Sequence, residues 1–176
     1  YLTQSWQLYA EAAMPALERL YTMAPSFRAE KSRTRRHLTE FWHAEMEVAW
    51  ACNEEIMQHG EGLVRSIART LLDERSDELE HLGRDLSLVE KYAESEYPRI
   101  RYDEAVETLQ KKGVEIEWGQ DLDYSKEKVL PADFDVPHFR THSPRVAKPF
   151  YHRPDPDDKK YVLCHDLLAP EGYGEI

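Results

Sequence analysis

An alternating segment, joined by a cationic loop to a second predicted strand, restricts the fold of this chain more than any other feature. In residues 38–50, apolar side chains fill one parity and polar or aromatic ones fill the other. The first set is Trp42, Ala44, Met46, Val48 and Trp50, and the second is Phe41, His43, Glu45 and Glu47. Because side chains alternate across a strand, the segment predicts a β-strand with one dry face. A strand predicted at residues 20–30 and the polar residues 31–37 complete an antiparallel hairpin.

Segments with apolar residues at helical spacing lie before and after this hairpin in the sequence. The spacing predicts helices over residues 8–20, 56–71, 79–92 and 103–112. Pro15 is expected near a break or in a first turn, Asp103 as an N-cap, and Gly113 as a left-handed terminator. Further strands are predicted at residues 137–141 and 161–168. The pattern is α+β, an antiparallel sheet flanked by helices.

Charge and cysteine content narrow the class of protein. The chain has 23 Lys+Arg against 34 Asp+Glu, a net charge of −11, which disfavours binding nucleic acid over its whole surface. No apolar run approaches about 18 residues, so no membrane span is expected. Cys52 and Cys164 form no CxxC pair and are expected to be small core residues, which fits a reducing, cytoplasmic setting.

The hairpin carries residue types that bind nucleotides. Arg28 and Glu30 share one face of the first strand, and Phe41 lies on the polar face of the second. Arginine supplies a planar fork of donors for phosphate, and a phenyl ring supplies a flat partner for a base. The alternation alone favours an ordinary solvated strand face, and from these residues the nucleotide-binding interpretation stays open beside it.

The sequence FRAEKSRTRRHLTEFW at residues 27–42 resembles motif 2 of the class II aminoacyl-tRNA synthetases, in the form of the aspartyl and asparaginyl branch. The resemblance continues at residues 4–9 (QSWQLY), 118–122 (WGQDL), 148–151 (KPFY) and 166–175 (DLLAPEGYGE). It implies a partial class II catalytic fold in which residues 1–176 form one domain and residues 53–113 a helical scaffold within it. The family's motifs 1 and 3 are not found in this sequence.

The resemblance implies a set of ATP-binding residues. These are Arg28, Glu30, Arg36, His37, Phe41, Asp166 and Glu175. Within it, Arg28 contacts the α-phosphate as the catalytic residue, Phe41 stacks on adenine, and Arg36 and His37 hold the outer phosphates. Asp166 and Glu175 are implied ligands of Mg²⁺. His43 matches no family role and is expected at the surface.

The same resemblance suggests the amino acid. Gln7 is implied to bind the α-amino group. Glu11 resembles the glutamate of the asparagine enzymes, and a carboxylate accepts from an amide while repelling an acid. Lys148 stands where aspartate enzymes carry arginine, so the resemblance implies that a cation still reaches the side-chain pocket, which keeps aspartate open as a substrate. Trp6 departs from the small residue or proline expected there.

The implied function is that of an asparaginyl-tRNA synthetase-like catalytic segment. The expected substrates are asparagine, ATP and, through the full-length protein, tRNA; the expected assembly is a homodimer. The alternatives are an asparagine synthetase-related paralogue that uses aspartyl adenylate and ammonia, an aspartyl-tRNA synthetase, and an inactive remnant that serves as an interaction module. Without motif 3, the isolated segment is expected to be inactive.

Overall fold

The computed structural model describes residues 2–29, 37–122, 126, 129–130 and 134–176, and it divides into two compact units, residues 1–52 and 53–176. The first unit holds helix α1 (Gln7–Leu17) and strands β1 (Arg19–Phe27) and β2 (Glu40–Val48). The strands pair antiparallel, from Arg19 opposite Val48 to Phe27 opposite Glu40. The predicted helix and hairpin are therefore present.

The faces of this hairpin are the reverse of the prediction. Residues of the apolar parity of β2 and their β1 neighbours are exposed: Tyr21, Met23, Trp42 and Met46. The parity of Phe41 and Glu45 is instead partly covered, because α1 begins against it. The prediction of a dry face on Trp42 was wrong for this chain, since alternation identifies a face without showing what covers it.

Pro15 lies in the last turn of α1, not in its first turn. Proline has no N–H to donate to the carbonyl of Glu11, so one helical bond is lost in that turn. The helix ends two residues later, and Glu18 follows with a φ of 55°. The expectation of a nearby break was right, although the helix continues through the proline.

The second unit begins with two helices, α2 (Asn53–His81) and α3 (Leu86–Glu94), and α2 is kinked at Arg75. Gly83, with a φ of 75°, follows α2, so the boundary between the helices lies beyond Leu79 rather than before it. Asp85 caps α3 by accepting from the Ser87 N–H at 2.9 Å. The second predicted helix therefore begins later than expected.

A four-stranded sheet follows, in the order β3 (Arg99–Arg101), β4 (His138–Thr141), β5 (His165–Ala169) and β6 (Gly174–Glu175). The first pair is parallel and the other two pairs are antiparallel. Helix α4 (Tyr102–Lys111) supplies one core cluster, with Leu109 fully buried, and Gly113 follows it with the predicted positive φ of 80°.

The prediction that Asp103 caps α4 was wrong. Arg101 is the N-cap, and its N–H donates to the Glu104 carboxylate at 2.7 Å. The Asp103 carboxylate instead accepts from Trp118 Nε1 at 2.8 Å and from the Tyr161 hydroxyl at 2.7 Å. Cys164 is buried as predicted, but Cys52 is exposed, so its placement in the core was wrong.

The prediction of one domain over residues 1–176 stays a prediction. No helix in the described part of the chain is long and apolar enough to cross a membrane.

Candidate functional site

A row of side chains runs along one face of β2 and organises the first unit. Phe41, His43, Glu45 and Glu47 alternate with exposed residues and are partly buried. Residues two apart on a strand are about 7 Å apart, so the row is about 20 Å long. This length accommodates two different groups of a ligand, one near each end.

Arg28 and Phe41 meet at one end of the row. The guanidinium carbon of Arg28 lies 5.3 Å from the centroid of the Phe41 ring. The Arg28 N–H donates to the Thr39 carbonyl at 2.9 Å, which holds the residue beyond the end of β1. Arg28 Nε donates to the Gln4 carbonyl at 3.4 Å. The two residues predicted to contact phosphate and base are therefore neighbours.

The middle of the row holds His43 and Glu45. His43 Nδ1 lies 3.1 Å from the hydroxyl of the buried Ser26 and 3.4 Å from Glu45 Oε2. Glu45 also accepts from the Trp6 N–H at 2.9 Å and from the Ser5 hydroxyl. His43 is thus a partnered, half-buried residue of the face, not a simple surface residue.

The other end of the row, at Glu47, lies near Glu11 of α1. Gln7 and Glu11 lie one helical turn apart, and Gln7 Nε2 donates to Glu11 Oε1 at 3.1 Å. Burial raises the pKa of the Glu47 carboxyl, and the carboxylates of Glu11 and Glu45 raise it further. Glu11 and Glu47 therefore lie together at this end, with Glu45 next along the row, an environment that favours a cationic or amide donor.

Asp166 lies between two cations in the second unit. Its carboxylate accepts from Arg140 Nη2 at 2.6 Å, and Lys148 Nζ lies 3.3 Å from each of its oxygens. Burial alone raises the pKa of Asp166, but Arg140 and Lys148 outweigh it and hold the pKa below its usual range. Burial likewise lowers the pKa of Lys148, and Asp166 reverses that effect and raises it. All three groups are therefore charged near neutral pH.

Asp166 and Glu175 share one face of the sheet. Leu168 pairs with Glu175, and residues opposite each other on antiparallel strands point to the same face. Asp166 is two residues from Leu168, so its side chain has the same direction. The carboxylates suit Mg²⁺, which takes one or two carboxylates and completes its shell with phosphate and water. Across the described ranges, no cluster of three or more His, Cys, Asp or Glu side chains could hold a metal alone.

The structure groups the predicted residues unevenly. It brings together Arg28 with Phe41, Gln7 with Glu11, and Lys148 with Asp166. His37 lies just before β2, whereas Glu30 and Arg36 fall outside the described residues.

Sequence reasoning gave no role to three residues that complete the groups: Ser26, Glu45 and Arg140. The parity shared with Phe41 was a signal for Glu45. Arg140 is almost fully buried, with 3% of its side chain exposed, and an arginine in a buried strand was its only signal.

The whole chain matches a protein family. Residues 1–176 match the family described as "tRNA synthetases class II (D, K and N)". The chain is 52% identical over 176 residues to an asparagine–tRNA ligase of Thermococcus gammatolerans and 50% identical over 182 residues to one of Symbiobacterium thermophilum. Each alignment covers 100% of this chain and 41% of the relative. The chain therefore spans about two fifths of the length of these relatives.

Solved structures give the same result. A crystal structure of asparaginyl-tRNA synthetase from Pyrococcus horikoshii, complexed with asparaginyl-adenylate, matches with a TM-score of 0.96 and 50% identity, over 100% of this chain and 40% of that one. An aspartyl-tRNA synthetase from Entamoeba histolytica matches with a TM-score of 0.82 and 30% identity, over 100% and 37% of the two chains. The predicted α+β, class II catalytic fold is confirmed.

Proposed function

Since this chain belongs to the class II tRNA synthetase family of the D, K and N type, we propose that it is the catalytic segment of an asparagine–tRNA ligase. Asparagine and ATP give asparaginyl adenylate and pyrophosphate, and the asparaginyl group then passes to the terminal ribose of tRNA. The observation that carries the proposal is the row along β2, which has Arg28 and Phe41 at one end and the Gln7–Glu11 pair near the other.

The first step needs positioning and charge stabilisation rather than a protein nucleophile. A carboxylate oxygen of asparagine attacks the α-phosphorus of ATP, the bond from that phosphorus to the bridging oxygen breaks, and pyrophosphate leaves with the electron pair. Arg28 stabilises the negative charge on the α-phosphate as it builds up, because its fork of donors is held in place at the end of β1. Phe41 stacks on adenine beside it.

Other residues hold the ends of the ATP molecule. Arg36 and His37 bind the outer phosphates, and Glu30 contributes to ATP binding. Asp166 and Glu175, on one face of the sheet, hold Mg²⁺, which supplies compensation for the phosphate charge. Lys148 and Arg140 keep Asp166 ionised and oriented.

Glu11 selects the amide side chain of asparagine. Its carboxylate accepts from the Gln7 amide in this structure, so its oxygens are directed at an NH₂ donor. Glu47 and Glu45 add negative charge nearby, which opposes the side-chain carboxylate of aspartate. Gln7 binds the α-amino group. The sequence suggested that Lys148 reaches the side-chain pocket. In the structure its ammonium group pairs with the Asp166 carboxylate, so Lys148 gives little support to aspartate as substrate.

In the second step, a hydroxyl of the terminal ribose of tRNA attacks the carbonyl carbon of the adenylate. The ester bond forms, AMP leaves with the bonding electrons, and the hydroxyl proton is released. We further propose a cytoplasmic homodimer as the working form, and no exchange activity at a normal rate from the isolated 176-residue polypeptide.

Amino acid-dependent exchange of pyrophosphate into ATP tests the proposal, with the complete protein that contains this chain. Asparagine should support exchange, and aspartate should be poorer by about 100-fold or more in kcat/KM. Better exchange with aspartate would overturn the choice of amino acid. Release of free asparagine from aspartate, ammonia and ATP would instead support the paralogue.

A further inference from the structure

The turn between β5 and β6 is conformationally strained. Glu171 adopts a φ of 60°, Gly172 a φ of 76° and Gly174 a φ of 90°. A positive φ suits glycine but costs energy for a residue with a side chain, so Glu171 needs contacts that hold it in place. β5 and β6 pair through two residue pairs. So short a ladder fixes the conformation of the turn only weakly.

Helix α3 and the connection between α2 and α3, which contains Arg84, hold Glu171. Arg84 Nη1 donates to Glu171 Oε2 at 3.0 Å, and Arg84 Nη2 donates to Oε1 at 2.6 Å. The hydroxyl of Tyr92, on α3, donates to the same Oε1 at 2.6 Å, and Arg84 Nη2 also donates to this hydroxyl at 3.1 Å. A two-pronged arginine–carboxylate contact fixes orientation as well as charge.

Arg84 is itself fixed by the end of α2. Gly83 takes the left-handed conformation, and the Arg84 N–H then donates to the Leu79 carbonyl at 2.9 Å. The Arg84 guanidinium lies 5.8 Å from the centroid of the Tyr92 ring. The side chains of Arg84 and Glu171 are only 25% and 35% exposed, so water competes less with this pair than with a fully exposed one.

We propose that Arg84 and Tyr92 are positioning residues for the ATP- and metal-binding strands: by holding Glu171, they fix the turn that joins the strand of Asp166 to the strand of Glu175. The inference rests on the proposed function, because only that function gives Asp166 and Glu175 a shared ligand. It adds a role for α3, and for the connection between α2 and α3, beyond that of scaffold. Neither Arg84 nor Tyr92 touches ATP in this proposal.

The test uses the complete protein with Arg84→Met, Arg84→Lys, Tyr92→Phe and Glu171→Gln. Arg69→Met is the matched control, because Arg69 of α2 pairs with Glu94 of α3 at 3.1 Å. Hydrogen exchange reports the order of residues 170–174. Calorimetry reports the affinity for ATP in the presence of Mg²⁺, and steady-state kinetics reports the KM for asparagine.

In Arg84→Met we expect faster exchange in residues 170–174 and an affinity for Mg²⁺ and ATP lower by about threefold to tenfold, the size of effect that a partly buried pair supports. The KM for asparagine should stay within about twofold, and Arg84→Lys should recover part of the loss, because lysine keeps the charge without the fork. Combining Arg84→Met with Glu171→Gln should add little, because both remove the same contact.

Unchanged hydrogen exchange in Arg84→Met, or an equal loss of affinity in Arg69→Met, would overturn the inference. A wild-type protein that binds Mg²⁺ and ATP, with variants that bind equally well, would overturn it while leaving the proposed function intact. A wild-type protein that does not bind Mg²⁺ and ATP would overturn the proposed function itself.

Discussion

The carboxylate of Glu45 accepts the backbone N–H of Trp6, with 2.9 Å between Oε2 and N. The contact joins β2 to the start of α1 and does not involve the indole ring. Tryptophan makes this bond through its backbone, as a small residue would, whereas the proline also expected at this position has no N–H and could not make it.

Replacement of Trp6 separates the backbone contact from the side chain. Trp6→Pro removes the N–H and should lower the free energy of unfolding by about 1–3 kcal/mol, the cost of a hydrogen bond to a charged group. Trp6→Ala keeps the N–H and should cost less. Chemical denaturation measures both. Equal losses in the two variants would show that the indole, and not the N–H, is the source of stability.

Glu11 is the residue expected to choose asparagine. Glu11→Lys should raise the KM for asparagine by about 10- to 100-fold, because a hydrogen bond to a charged group is lost and a repelling cation replaces it. ATP affinity should change by less than about threefold. Glu18→Lys, which makes the same charge change just beyond the end of α1, is the control. A comparable loss of ATP affinity in calorimetry would remove Glu11 from this selective role.

Arg28 should act on the rate and Phe41 on ATP binding. Arg28→Lys should lower kcat for exchange by about 100-fold, because a point charge replaces the fork that is proposed to bind the α-phosphate. Phe41→Leu should raise the KM for ATP with a small effect on kcat. Arg19→Lys, at the far end of β1, is the control and should behave as wild type. A kcat effect from Phe41→Leu equal to that from Arg28→Lys would contradict this division.

The sequence predicted the hairpin well because alternation is a local property. The register from Arg19–Val48 to Phe27–Glu40 pairs the two predicted strands. The choice of the covered face is not a local property, because it depends on which other parts of the protein pack against the hairpin. The exposed Trp42, at 73% of its full area, and Tyr21, at 82%, show this limit.

The resemblance named candidate residues for the site, but it could not name residues that tertiary pairing selects. Arg140 partners Asp166 only because β4 and β5 align these two positions. Asp103 looked like a helix cap, yet Trp118 and Tyr161 take its oxygens. A carboxylate near the start of a helix can accept from the backbone N–H groups of the helix or from other side chains, and tertiary packing determines which donors are within reach.

His138 gives the fold a dependence on pH. Its side chain is fully buried at the start of β4 and stacks on Phe134, with ring centroids 4.2 Å apart. Burial, together with the charge of Arg140, lowers the pKa of His138 to about 4. Between this value and the ordinary pKa of about 6.5, the unfolded chain binds a proton that the folded chain does not. Stability from this group is complete above about pH 6.5 and is lost as the pH falls toward 4.

We therefore expect the free energy of unfolding to fall by up to about 3 kcal/mol between pH 6.5 and pH 4 through this residue. His138→Leu keeps an apolar side chain in the site and should flatten that part of the profile, because no group remains there to take up the proton. His59→Leu, at an exposed position of α2, controls for the loss of any histidine. Denaturant titrations across this range measure the slope. An unchanged slope in His138→Leu would assign the acid sensitivity to other groups.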